Sequence, residues 1–299
     1  MSSFRMSIPE HIDELRVRLI RIIICIAIIT IFTMSFSIKT TITPISLPFL
    51  NPTHLTYLKV YYPYPEPFNN IALQLTTFMK DTLLPSEVKF IQTAPGQVFF
   101  GQIYLSLLIG LTCSLPIVIK EIFGFVSPAF NQVKSKGETG ETSVSTKVSS
   151  PSSTKIKLVK VILPMFLLFV FGLVFSYVLV IPWTLDFLYS YGESIGAETF
   201  LTVNDFITFV LQFILGFGIA FQLPIIMYVL SLSGLTDSKF WQKNFRYAII
   251  IITIFGAVIT PDGSGITMWF VALPMIALYA FGIIAIRRNE HKVVTAESS

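Results

Sequence analysis

The sequence predicts an all-helical, polytopic membrane protein with six transmembrane helices and both termini in the cytosol. Three observations predict it. Of 299 residues, 53% are hydrophobic and only 13% charged, about half the charged share of an ordinary soluble domain. Apolar runs recur at the length a membrane demands, since a helix needs about 20 apolar residues to cross a hydrocarbon core about 30 Å thick. Finally, 17 of the 21 Lys and Arg fall in segments on one side of those runs. A soluble core of this size could not hide 28 Phe, whereas a bilayer solvates them.

The N-terminal arm, 1–18, carries Arg5, Arg16 and Arg18 and leads into the first span at 19–38. That run is too long for the apolar part of a cleavable signal, and no small-residue cleavage site follows, so it is expected to remain as a span. The external segment 39–97 holds eight prolines, clustered around Tyr61-Tyr-Pro-Tyr-Pro-Glu-Pro67. Proline at this density excludes long helices and central strands. We expect an ordered cap with one short amphipathic helix over 71–81. The second span, 98–119, ends at Lys120 and Glu121. A cytosolic insertion follows at 131–157, with 11 Ser or Thr and five Lys, a composition that buries no core and predicts disorder.

The third span covers 161–183, and the external segment 186–205 has four acids and no Lys or Arg. The fourth, 206–232, is longer than the bilayer requires and contains Gly216, Gly218 and Pro224, which predict a kink or tilt. The run 247–259 reaches only about 20 Å as a helix. A Thr260-Pro-Asp-Gly-Ser-Gly265 turn separates it from 267–286. Either the two form a re-entrant hairpin or both cross, the first thinning the bilayer beside it. Arg246 before the pair and Arg287 with Arg288 after it favour two crossings. A cytosolic tail, 287–299, closes the chain. The basic excess faces the cytosol, and six spans return both ends to that side.

Charge is also informative by where it is missing. No Asp, Glu, Lys, Arg or His lies in the middle of a span, which argues against a proton-relay pump or an ion-coupled carrier. The halves show no internal repeat, weakening a repeat-based transporter. Cys25 and Cys113 sit in apolar runs and read as small hydrophobes; the three His are far apart in sequence. No catalytic or nucleotide-binding signature occurs, and Ser264 belongs to an external turn. We therefore expect neither an enzyme nor a cofactor, and no nucleic-acid partner.

Three polar motifs border the apolar runs. In His11-Ile-Asp-Glu-Leu-Arg-Val-Arg-Leu19, Glu14 and Arg18 are i,i+4 neighbours on an amphipathic helix; alone, this is an ordinary basic flank. In Phe123-Gly-Phe-Val-Ser-Pro-Ala-Phe130, aromatic belt anchors precede Pro128, where a helix ordinarily ends. In Phe217-Gly-Ile-Ala-Phe-Gln-Leu-Pro224, the Gln222 amide lies within a span and must bond another helix of this chain or a partner's. Pro224 frees a carbonyl that Gln222 could also satisfy.

In order, these motifs, with Gly234-Leu-Thr236, Arg246-Tyr-Ala248, Thr260-Pro-Asp262, Leu273-Pro274 and Leu278-Tyr279, resemble the TatC family, the multi-spanning receptor subunit of the twin-arginine protein translocase. The resemblance runs nearly the length of the chain. It implies a concave, glove-like arrangement of six spans in the cell membrane. It further implies a receptor for twin-arginine signal peptides, which recruits TatA-type and TatB-type single-span subunits, assembles as a homo-oligomer, and moves folded cargo on the proton-motive force. By the same resemblance, Glu14, Arg16, Arg18, Phe125 and Pro128 belong to the signal-binding face. Gln222 stands where members carry a partner-contacting Glu, Pro48 in the cap, Asp262 in the external turn, and Tyr177 and Pro224 at structural positions. The chain departs from the pattern in lacking a Glu shortly after Ser-Pro-Ala129; Glu121, Glu138 and Glu141 are the acids available instead. A small-solute carrier and a membrane assembly scaffold are the alternatives on composition alone.

Overall fold

The computed structural model describes residues 8–45, 56–85, 88–136, 151–194, 196, 200–232, 235–260 and 263–297, with side chains over 12–41, 59–85, 88–121, 162–194, 196, 200–232, 235–260 and 263–290. Ten α-helices and four strands are present among them. Five helical stretches are long and apolar enough to cross a membrane: Ile12–Ser35, Gln97–Glu121, Ile162–Glu193, Val203–Leu232 and Gly265–Glu290. A shorter apolar helix, Phe245–Ile259, accompanies them. At 15 residues it reaches about 22 Å, the short helix expected over 247–259.

The described residues form two compact units. One comprises Ile24–Cys113 with Phe200–Ile207. In it, helix α1 (Ile8–Ser35) ends where strand β1 (Phe36–Ile45) begins. The first apolar run thus stops being helical three residues before 38. Strand β1 pairs antiparallel with β2 (Thr56–Pro65), with Phe36 opposite Pro65 and Ile45 opposite Thr56. This hairpin is absent from the sequence reading. The prolines that exclude a central strand are tolerated because a two-stranded sheet has only edges. Its base is fastened by Glu66, which bonds Lys39 at 3.0 Å and Ser37 at 3.2 Å. Helix α2 (Ile71–Leu83) starts at Asn70, whose side chain accepts from the Leu73 N–H, and buries Ala72, Thr76, Met79 and Leu83 along one stripe. Strand β3 (Lys89–Ile91) pairs parallel with β4 (Phe200–Thr202). Helix α3 (Gln97–Lys136) lies close to α1 at Gly110, where an added Cβ would stand 2.7 Å from Thr30 Oγ1 and 3.0 Å from the Ile26 carbonyl. Small residues permit such approach in lipid.

The other unit holds the described parts of Met1–Ile23, Ser114–Thr199 and Thr208–Ser299. Helix α4 (Pro151–Phe175) runs through a π turn, Ser176–Val180, into α5 (Ile181–Glu193). The third span therefore extends ten residues beyond 183. The fourth breaks as its glycines and proline predict: α6 (Val203–Ala220) stops, Phe221 and Gln222 turn, and α7 (Leu223–Leu232) restarts with Pro224 in its first turn. Phe171 and Phe175 of α4 meet Phe221 at ring centroid distances of 5.5 and 5.4 Å. The short helix α8 (Ser238–Lys243) precedes α9 (Phe245–Ile259), which packs on α10 (Gly265–Glu297) across Gly256.

Two expectations around the insertion are corrected. Helix α3 continues through Pro128 to Lys136, and α4 begins at Pro151, so 131–136 and 151–157 are helical. Gly124 lies four residues before Pro128, where the ring would strike a carbonyl, and it leaves that backbone free to tilt. Apolar helices already nucleated extend at little cost into polar sequence, and Pro151 suits a first helical turn. Residues 137–150, the remainder of the stretch expected to be disordered, lie outside the described residues. Likewise α10 continues through Arg287 and Arg288 to Glu297, taking much of the expected tail into the last helix.

Candidate functional site

Asp13, Glu14, Val17, Arg18 and Arg21 recur at three- and four-residue steps and so share one face of α1. They line a cleft of about 500 Å³ together with Lys120 and Glu121 of α3. Arg18 is its centre. Its Nη2 lies 2.6 Å from Glu14 Oε1, and its Nε donates to the same oxygen at 3.1 Å. Its Nη1 donates to Glu121 Oε2 at 3.0 Å and to the Glu121 backbone carbonyl at 3.1 Å. Arg21 reaches the other carboxylate oxygen of Glu121 at 3.5 Å.

The burial of these groups is uneven. The Glu121 side chain is 8% exposed, Arg18 21%, Glu14 27% and Arg21 63%. A carboxylate as enclosed as Glu121 requires cationic partners, and removing one partner of such a pair typically costs about 3–5 kcal/mol. The cleft carries three acids, Asp13, Glu14 and Glu121, and three bases, Arg18, Arg21 and Lys120, so it is electrically balanced. Chemically, it is a holder for guanidinium groups. Glu121 presents both oxygens to two of them, and Glu14 steadies the more buried one.

Sequence reasoning named Glu14 and Arg18, and the structure joins them. Arg16 is exposed and is not among the residues lining the cleft. Phe125 and Pro128 have their backbones on α3, but their side chains lie outside the described residues, as do Pro48 and Asp262 entirely. Glu121 is one of three candidate acids in the sequence, and Arg21 lies at the start of the first apolar run without a motif to mark it. Glu121 is 103 residues from Arg18. The usable signal was an acid closing the second apolar run at the same membrane level as the arginines opening the first.

Gln222 sits in the break between α6 and α7. Its Nε2 donates to the Met165 carbonyl of α4 at 3.2 Å, while its Oε1 is buried without a partner among the described residues. One end of the amide thus joins helices within the chain, and the carbonyl freed by Pro224 is not its acceptor. Pro224 itself lies against Gly282, where an added Cβ would approach its Cα to 3.3 Å. Tyr177 is half-buried in the π turn.

Comparisons with known proteins agree along the chain. The family described as Sec-independent protein translocase protein (TatC) matches residues 10–274. The Sec-independent protein translocase protein TatC of Cenarchaeum symbiosum is 43% identical over 291 residues, covering 97% of this chain and 98% of its own length. That of Aquifex aeolicus is 31% identical over 208 residues, 69% of this chain and 78% of its own. A crystal structure described as the twin arginine translocase receptor TatC superposes with a TM-score of 0.65 and 26% identity, covering 92% of this chain and 97% of that one.

Proposed function

This chain belongs to the TatC family of Sec-independent protein translocase proteins, and from that premise we propose that its acid–arginine cleft receives the arginine pair of a twin-arginine signal peptide. With single-span partner subunits, the chain then passes folded cargo across the cell membrane on the proton-motive force. The observation that carries this reading is Glu121, an enclosed carboxylate that already holds two guanidiniums, one on each oxygen. It stands in for the acid that the family pattern places after Ser-Pro-Ala129 and that this sequence lacks there.

The mechanism is exchange. Arg18 and Arg21 occupy the acids in the free protein, so an incoming guanidinium replaces one of its own kind. The Coulomb energy barely changes. Resident side chains are tethered, with an effective concentration on the order of millimolar, so a ligand needs about 4 kcal/mol of further affinity to prevail at micromolar concentration. Burying about 160 Å² of apolar surface supplies that amount. A signal peptide's apolar segment, lying beside the cleft in lipid, provides it. The arginine pair is thus read only on a peptide that also enters the membrane.

The test is direct binding of a fluorescent twin-arginine signal peptide to the full chain in nanodiscs. Charge-assisted hydrogen bonds are worth about 1.5–3 kcal/mol, so Glu121→Gln should weaken binding about 10- to 150-fold. A twin-lysine peptide should bind the parent chain weakly, and the substitution should not weaken it further. Equal binding of both peptides to parent and variant would remove the cleft from the account.

A further inference from the structure

A second cavity, of about 420 Å³, opens in the unit that holds α6 to α10. Ile219, Leu223 and Ile226 beside the helix break form one wall, Ile251 and Phe255 of α9 another, and Met275 and Tyr279 of α10 the floor. A single hydrocarbon chain fits this space. The walls are apolar except at one end, where Trp241, Asn244 and Tyr247 gather.

That end is polar and basic. The Trp241 indole Nε1 is buried and has no hydrogen-bond partner among the described residues. The Tyr279 hydroxyl is already committed, donating to the Trp241 carbonyl at 3.1 Å. Lys243 and Arg246 flank Asn244, both exposed, and the Arg246 guanidinium stands 5.9 Å from the ring centroid of Tyr247 at the groove mouth. Lys239 is exposed one turn earlier on α8. The nearby acids are engaged elsewhere: Asp237 accepts from the Phe240 N–H, and Glu290 accepts from the Ser238 N–H and hydroxyl. Those donors are neutral and leave both carboxylates negative, but the exposed Lys239, Lys243 and Arg246 outnumber them, so the net charge at this end is positive. Tryptophan, tyrosine and arginine together mark the depth at which lipid headgroups lie.

We propose that this groove is a binding site for one anionic membrane lipid. One acyl chain lies between α7, α9 and α10, and the phosphate rests on Lys243 and Arg246. The indole N–H donates to an oxygen of the headgroup or its linkage. The occupant is an anionic lipid because the mouth adds two exposed cations to an apolar slot, and each Lys or Arg near an anionic surface strengthens attachment about fivefold.

The experiment uses the full chain in detergent micelles with Trp183→Phe and Trp269→Phe, leaving Trp241 as the sole indole. Phosphatidylglycerol or phosphatidylcholine with brominated chains is titrated in, and quenching of Trp241 is read. Phosphatidylglycerol should quench at about thirtyfold lower concentration. Lys243→Gln with Arg246→Gln should bring the two lipids together. Ala248→Phe, which fills the slot, should abolish the saturable quench; melting by circular dichroism checks that it folds. The two surface substitutions decide the matter if it does not. Equal quenching by both lipids in the parent chain would overturn the proposal. So would a saturable quench surviving Ala248→Phe, or a Trp241 shielded from both lipids, as a partner helix or second copy in the groove would make it.

Discussion

Arg18 is held between Glu14 and Glu121, whereas Arg21 reaches Glu121 at 3.5 Å with most of its side chain in solvent. The two arginines should therefore behave differently. Exposed pairs contribute about 0–1 kcal/mol, so Arg21→Gln should leave thermal melting nearly unchanged. It should also raise signal-peptide affinity up to about fivefold by removing a competitor, measurable in the same nanodisc binding. A second residue-scale prediction concerns Glu66. The hydrogen bond from Lys39, aided by one from Ser37, holds its carboxyl below the ordinary value of 4.5 against a smaller opposing effect of burial. The folded form therefore binds its proton less readily than the unfolded chain does. The hairpin's extra stability is fully present above pH 4.5 and is lost as pH falls through the lower folded value. Amide protection at the base of the β1–β2 hairpin, taken relative to the intrinsic exchange rate at each pH, should fall over that acidic window, and Lys39→Gln should flatten the dependence.

At the scale of elements, glycines decide how closely the helices approach. An added Cβ at Gly172 would stand 2.8 Å from the Phe217 carbonyl and 3.0 Å from Phe221 Cβ, both rigidly placed. At Gly216 it would meet Ile259 Cδ1 at 2.4 Å, the far end of a side chain able to rotate away. Gly172→Ala should therefore destabilise by about 1–3 kcal/mol, while Gly216→Ala should cost less despite the shorter distance. Differential scanning calorimetry of both variants, matched in detergent, gives the order. The broken fourth helix was legible because Gly216, Gly218 and Pro224 announce it. The π turn at Ser176–Val180 was not, since its residues are as apolar as those around them. The hairpin was hidden for a related reason. Tyr57 to Pro65 favours strand by composition, but Pro63 and Pro65 within it argue against one unless both strands are known to be edges.

Across the whole molecule, hydropathy and basic bias together predicted a multi-spanning helical protein, because lipid forces both signals into the linear sequence. The cleft was half legible. Glu14 and Arg18 are neighbours on one helix, but pairing Glu121 with Arg18 depends on how two distant helices lie together, which no local pattern encodes. The predicted orientation has its own measurement. In a cysteine-free background, Phe68→Cys, at 95% exposure, should react with an impermeant maleimide added outside intact cells. Ser2→Cys should react only after the membrane is opened. The reverse pattern would invert the topology.

The hairpin's prolines bear on what happens when many copies crowd one membrane surface. Among the described residues neither strand has a second strand beside it, and only Ile38 of β1 has its outward N–H and carbonyl taken, by the Gln74 side chain of α2; such an edge recruits further strands and seeds aggregates. Pro44, Pro63 and Pro65 offer no N–H to an approaching chain. A foreign strand laid alongside would find gaps in the ladder wherever a donor is missing. The same residues that hid this element from the sequence thus keep neighbouring caps from zipping together.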